Sequence, residues 1–145
     1  MYTVGVIYES REEGDLQIIN FVRAVLREKK DVALRERRGG DASIVDINAS
    51  DVVIFASDGN GELGINSSFA EIVRALKGVN LAGRMLGIIS FDGEETVSAL
   101  KEAFHDSCIT CYEPLVCEGE ISEATVKKWV EKLLEKYRES INGRE

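Results

Sequence analysis

At 145 residues and 44% apolar content, the chain is long enough for one domain with a full core and too short to expect two, so residues 1–145 are read as a single domain. Eighteen basic against 26 acidic residues give a net charge of −8, which argues against nonspecific binding to nucleic acid or to an anionic membrane and favours a basic protein partner or no charged partner. No apolar run approaches the roughly 18 residues that span a bilayer, and MYTVGVIYES has neither a basic lead nor a cleavage pattern, so no membrane association and a cytoplasmic location are expected.

Thr3 to Tyr8 is a short apolar, β-branched run and is predicted as the first strand, with the charged stretch ESREEGD as its exit loop. From Asp15, read as an N-cap, Ile18, Ile19, Val22, Val25 and Leu26 recur at helical spacing. Arg27, Lys29 and Lys30 follow where the helix dipole favours cations. DVALRERR is predicted as a second, more polar strand suited to a sheet edge. Its tail, Arg35, Arg37 and Arg38 before Gly39 and Gly40, is read as a solvated strand end. ASIVDINAS is expected to connect onward through one or two helical turns.

Val52 to Ala56 is apolar without alternation, the pattern of a strand covered on both faces, and it ends in Ser57, Asp58, Gly59, Asn60 and Gly61. Such a loop at a strand's carboxyl end is where ligands sit in open α/β sheets, beside the point where strand order reverses. Ser68 and Glu71 have capping-box spacing ahead of Phe69, Ile72, Val73 and Leu76, a face that stops at Gly78. Met85 to Phe91 is again apolar throughout and exits through Ser90, Phe91, Asp92 and Gly93. Thr96 to His105 continues as a helix, and Ile109 to Cys117 is predicted as a fifth strand, with the lone Pro114 marking an edge or a local break. Ser122 is expected to cap a closing helix whose buried stripe is Val126, Trp129, Val130, Leu133, Leu134 and Tyr137.

Strands alternating with helices and joined by right-handed crossovers predict an α/β, doubly wound, three-layer sandwich around a five-stranded parallel sheet. The order 2-1-3-4-5 puts the charged second strand at an edge and the loops after strands one and three on either side of the switch point.

The third-strand exit ASDGNGELGINSSF, the lead LAGRMLGIISFDG and the closing amphipathic helix resemble the flavodoxin family over nearly the whole chain. The resemblance implies a small electron carrier that binds flavin mononucleotide (FMN). Ser57 to Gly61 and Ser90 to Gly93 would frame the ring, and Ser10, Arg11, Gly14 and Asp15 would lie toward the phosphate. It also implies a redox partner with a basic docking surface. Flavodoxins are similar to one another in a first loop of the form S/T-x-T-G-N-T; here the matching stretch runs Ser10-Arg11-Glu12-Glu13-Gly14-Asp15-Leu16. A carboxylate beside a phosphate costs about 1 kcal/mol at an effective dielectric near 80 and about 4 kcal/mol near 20. Phe91 has two readings, as a neighbour of the ring or as the last core residue of its strand.

His105, Cys108, Cys111 and Cys117 are ligand types that zinc accepts. The last two lie in one predicted strand, about 20 Å apart at 3.3 Å per residue, so reduced, unmetallated thiols are expected. Ser57-Asp58 and Ser90-Phe91-Asp92 show no base aligned with a nucleophile, and no catalytic residue is assigned. Two functions stay open: an FMN-binding electron carrier, or a binding or regulatory module of the same fold that has lost FMN through its acidic first loop.

Overall fold

The computed structural model describes residues 1–142. The chain alternates strand and helix: β1 (Tyr2–Glu9), α1 (Glu13–Arg27), β2 (Val32–Arg38), α2 (Ile44–Asn48), β3 (Val52–Ser57), α3 (Ala70–Ala75), β4 (Met85–Ser90), α4 (Glu94–Ala103), β5 (Thr110–Cys111), β6 (Leu115–Val116) and α5 (Glu123–Asn142). All pairings are parallel, and the sheet order is β2-β1-β3-β4-β5 with β6 also on β4. This is the doubly wound architecture that the unalternating strands require: β3 and β4 are buried at every position, so apolar residues must face helices on both sides.

Two apolar layers result. Val4, Val6, Ile54 and Ile89 pack with the inner faces of α1 and α5, while Ile7, Val53, Phe55 and Ile88 pack with Ile47, Phe69, Ile72, Val97 and Phe104. The α5 stripe is buried as its spacing predicts. Trp129 donates its Nε1–H to the Glu113 carbonyl at 2.8 Å. Gly87 in β4 permits this packing, because a Cβ there would meet Leu133 at 2.7 Å and Trp129 at 2.8 Å.

Several local expectations are corrected. Helix α1 opens at Glu13 with Glu12 in the N-cap position, so Asp15 lies inside the first turn. Ser68 forms no capping box; Asn66 accepts from the Ser68 N–H at 3.0 Å and opens a 3-10 turn, Ser67–Phe69, ahead of α3. The box instead belongs to α2, where Ser43 and Asp46 cap reciprocally. The fifth strand is two short pieces on either side of Pro114. Proline cannot donate to the ladder, and after the Tyr112 N–H bonds the Leu86 carbonyl of β4 at 2.8 Å, Glu113 and Pro114 leave the sheet. Nor is the arginine tail of β2 merely solvated: Arg35 and Arg37 reach Asp46 at 2.9 and 3.4 Å, and Arg38 pairs with Glu9.

Asp46, 5% exposed, therefore ties the edge strand to α2. Burial alone would raise its pKa, but the Ser43 N–H and the Arg35 and Arg37 guanidinium groups together hold it below the usual carboxylate value. A lowered pKa contributes stability above the unfolded value near 4 and loses it as pH falls through the folded value. Asp46→Asn is thus expected to cost about 1–3 kcal/mol in urea titrations at pH 7, with the gap to the parent closing as pH drops below about 4. In the core, Ile54→Ala is expected to cost about 2–5 kcal/mol and the exposed Lys128→Ala under about 0.5; equal losses would contradict the burial of β3.

Candidate functional site

Parallel register places the carboxyl ends of three strands side by side. Glu9 of β1 stands opposite Ser57 of β3, and Ser57 stands opposite Ser90 of β4. The chain leaves β1 for β2 on one side and returns to β3 on the other, so this row of strand ends lies at the switch point. Their three exit loops meet there, as the sequence leads one to expect.

The Asp58 carboxylate holds them together. It is 3% exposed and accepts from the Arg11 backbone N–H at 2.8 Å, the Asn60 N–H at 3.2 Å and the Asn66 side-chain amide at 3.0 Å. Next to it, Ser57 Oγ donates to the Asp58 carbonyl at 2.7 Å and accepts from the Asn66 N–H at 2.9 Å. Asp92 joins the fourth-strand loop to the third by accepting from the Gly59 N–H at 2.7 Å. Ser90 Oγ in turn donates to the Gly93 carbonyl at 2.7 Å, where Gly93 has φ 92°, a conformation costly for any other residue. Gly61 is equally constrained, since a Cβ would collide with the Ile65 carbonyl.

In the first loop, Ser10 Oγ donates to Asp15 at 2.6 Å and accepts from the Glu12 N–H at 3.1 Å, while the Ser10 N–H donates to Glu9 at 3.2 Å. Burial, opposed by the Ser10 hydrogen bond and reinforced by Asp92, Asp58 and Glu12, raises the Asp15 pKa. The mutual repulsion shows how closely the carboxylates crowd. The exposed Arg11 guanidinium turns toward the third loop, where the Asn60 amide oxygen, oriented to accept, takes bonds from Nε and Nη1 at 2.7 and 3.0 Å.

Not every residue singled out by the sequence reaches this network. Gly14 sits exposed in the first turn of α1. Phe91, 7% exposed, packs into the core layer beneath α1 and α5. Asn66, which sequence reading missed, is the buried clamp between Ser57 and Asp58; an asparagine just ahead of a Ser-Ser-Phe helix start was the available signal. A cavity of about 740 Å³ lies between α1 and the loop before α5, lined by Gly14, Asp15, Phe21, Phe91, Cys117 and Ile121. A second, of about 570 Å³, opens on the α3 side of the third loop.

Among the described residues, no group of three or more His, Cys, Asp or Glu side chains is placed to hold a metal ion. Cys108 and Cys111 are exposed, and Cys117 is partly buried. Burial, with Asp15 adding to it, pushes the Cys117 thiol up to about 11. Its thiolate fraction at pH 8 is then on the order of one in a thousand. Mass-spectrometric mapping of iodoacetamide labelling at pH 8 is expected to find Cys117 modified well after the exposed Cys108, with its rate rising about tenfold per pH unit up to pH 10.

No family model and no curated protein matches the sequence. Solved structures do match. A short-chain flavodoxin associated with a non-canonical PDU bacterial microcompartment superposes with a TM-score of 0.80 at 19% identity, over 94% of this chain and 99% of that one. The fold is flavodoxin-like. Oxidised flavodoxin 1 from Bacillus cereus agrees at a TM-score of 0.76 and 16% identity, covering 92% of this chain and 95% of its own. A Fusobacterium nucleatum flavodoxin bound to flavin mononucleotide gives 0.78 at 9% identity, over 94% and 99% of the two chains. The flavodoxin-like fold is thus shared over nearly the full length of each, at sequence identities of 9 to 19%.

Proposed function

We propose that this protein is a flavodoxin-fold binding module whose switch-point crevice is closed to the phosphate of a flavin. The observation that carries this reading is the Asp58 carboxylate on the Arg11 backbone N–H. A phosphate at the first loop needs the backbone donors there. Those of Ser10, Arg11 and Glu12 are satisfied by Glu9, Asp58 and Ser10, so two of the three acceptors are carboxylates. A dianion would have to displace a buried carboxylate and then lie beside it. Losing a charged hydrogen bond costs about 1.5–3 kcal/mol, and each unscreened like charge at 4 Å adds about 4 kcal/mol at an effective dielectric of 20. At the ring end, Phe91 is 7% exposed in the core layer and also lines the cavity between α1 and the loop before α5. The exposed acids Glu12, Glu13, Asp92, Glu94 and Glu95 around the crevice favour a basic partner at this end of the sheet.

A second reading, an electron carrier with bound FMN, is favoured by the fold and by the alignment of the three strand ends. In it the flavin would supply the electron transfer. Ser57 to Gly61 and Ser90 to Gly93 would hold the ring through backbone groups, Ser10, Arg11, Gly14 and Asp15 would lie toward its phosphate, and the acidic surface would dock a basic redox protein.

Quenching of flavin fluorescence on titration with the protein decides between them. The parent is expected to bind FMN more weakly than about 1 μM, and the pair Asp58→Asn with Glu12→Thr to bind at least tenfold tighter, about 1.4 kcal/mol. A nanomolar parent that the pair weakens would establish the carrier instead.

A further inference from the structure

The third loop has a second side. Between it and α3 lies the cavity of about 570 Å³, within the size range of small-molecule sites. Its apolar lining is Leu63, Ile65, Phe69 and Val73, and its polar lining includes Arg11, Arg74 and Lys77 against the single acid Glu62. Ala70, Val73, Arg74 and Lys77 follow one another at helical spacing, so α3 and its last turn present one face to the cavity.

Three cations and one acid line this cavity. Arg23 pairs with Glu36, Lys29 with Glu131, Arg35 and Arg37 with Asp46, and Arg38 with Glu9, whereas other cations such as Arg27, Lys101 and Lys127 form no ion pair among the described residues and stand outside this cavity. Among the described residues, Arg11, Arg74 and Lys77 have no carboxylate within ion-pair distance, although acids outnumber bases 26 to 18. Leu63 is 70% exposed at the rim, where an apolar ligand body would cover it. Arg11 is directed here by Asn60, while its own backbone N–H holds Asp58. One residue therefore helps to fill the crevice and supplies a cation to the cavity.

We infer that this cavity binds a small organic anion, with a carboxylate or phosphate head among Arg11, Arg74 and Lys77 and an apolar body against Leu63, Ile65, Phe69 and Val73. Two arginines suit a planar or tetrahedral oxyanion better than a halide or a single point charge. The inference rests on reading the protein as a ligand-binding module, and it adds the class of ligand; Asp58→Asn with Glu12→Thr acts on the crevice and Arg74→Gln with Lys77→Gln on this cavity, so the two readings fail separately.

The test is calorimetric titration with 2-naphthoate, 2-naphthyl phosphate and uncharged 2-naphthol, which share one apolar body. Both anions are expected to bind at least tenfold more tightly than 2-naphthol. Arg74→Gln with Lys77→Gln should weaken the anions at least tenfold and leave 2-naphthol unchanged. Both side chains are exposed, so a thermal melt should confirm an unaltered fold; Arg11→Gln, in the first loop, gives an independent variant expected to weaken the anions in the same direction. A preference for the phosphate identifies a dianion head, and a preference for naphthoate a carboxylate. The proposal is overturned if 2-naphthol binds as well as the anions, if the double change leaves anion affinity intact, or if no anion binds at millimolar concentration.

Discussion

A single buried carboxylate organises the ligand end of this sheet. Asp58 sits one residue past the end of β3 and takes donors from Arg11, Asn60 and Asn66, so with the Arg11–Asn60 side-chain contact it ties together two loops that the fold brings side by side. Burying a carboxylate is expensive unless donors surround it. Three do, and two of them are backbone groups that ligand-free loops would otherwise leave to water. The sheet supplies the position: the β1–β3 register sets Glu9 opposite Ser57, and that places Arg11 within reach of Asp58. The same carboxylate occupies the Arg11 and Asn60 backbone donors at these strand ends.

Much of the architecture was legible in the residues. Runs such as Val52 to Ala56 have no polar alternation and leave burial on both faces as their only stable setting. The stripe from Val126 to Tyr137 repeats at helical spacing over enough turns to fix which face of α5 is inside. The edge position of β2 followed from its charges, and the break at Pro114 from the missing N–H. Local capping was less legible. Ser68 with Glu71 and Ser43 with Asp46 are both plausible pairs by spacing, and only the second has the extended N-cap backbone that a box needs.

The site was legible as a place but not as a network. Strand-end loops with small and acidic residues marked the crevice, yet the bonds that define it join Arg11 to Asp58 and Gly59 to Asp92, residues 47 and 33 positions apart. No periodicity reports on such pairs. The two readings of Phe91 are not exclusive, since it packs in the core layer at 7% exposure and also lines the cavity beside Asp15. Asn66 escaped notice for a different reason: its side chain reaches back across its own loop to Asp58, eight residues earlier, while its helix start hides that role behind an ordinary cap.

Charge then separates the two sides of the third loop. On the side of the strand ends, Asp15, Asp58 and Asp92 lie close enough for Asp58 and Asp92 to raise the pKa of Asp15, and their oxygens consume Ser10, Arg11 and Gly59 donors. On the α3 side, Arg74 and Lys77 face an apolar floor with Glu62 as the one lining acid, and Arg11 joins them through Asn60. On the proposed reading an anion would be repelled from the crevice and attracted a short distance away, across the same stretch of backbone. Arg11 is held at its N–H by Asp58 and at its guanidinium by Asn60, so the bond that fills the first loop also positions the cation beside the cavity. On the proposed reading, a dianion in the crevice and an organic anion in the cavity would oppose one another, both by mutual repulsion and by their competing demands on one arginine.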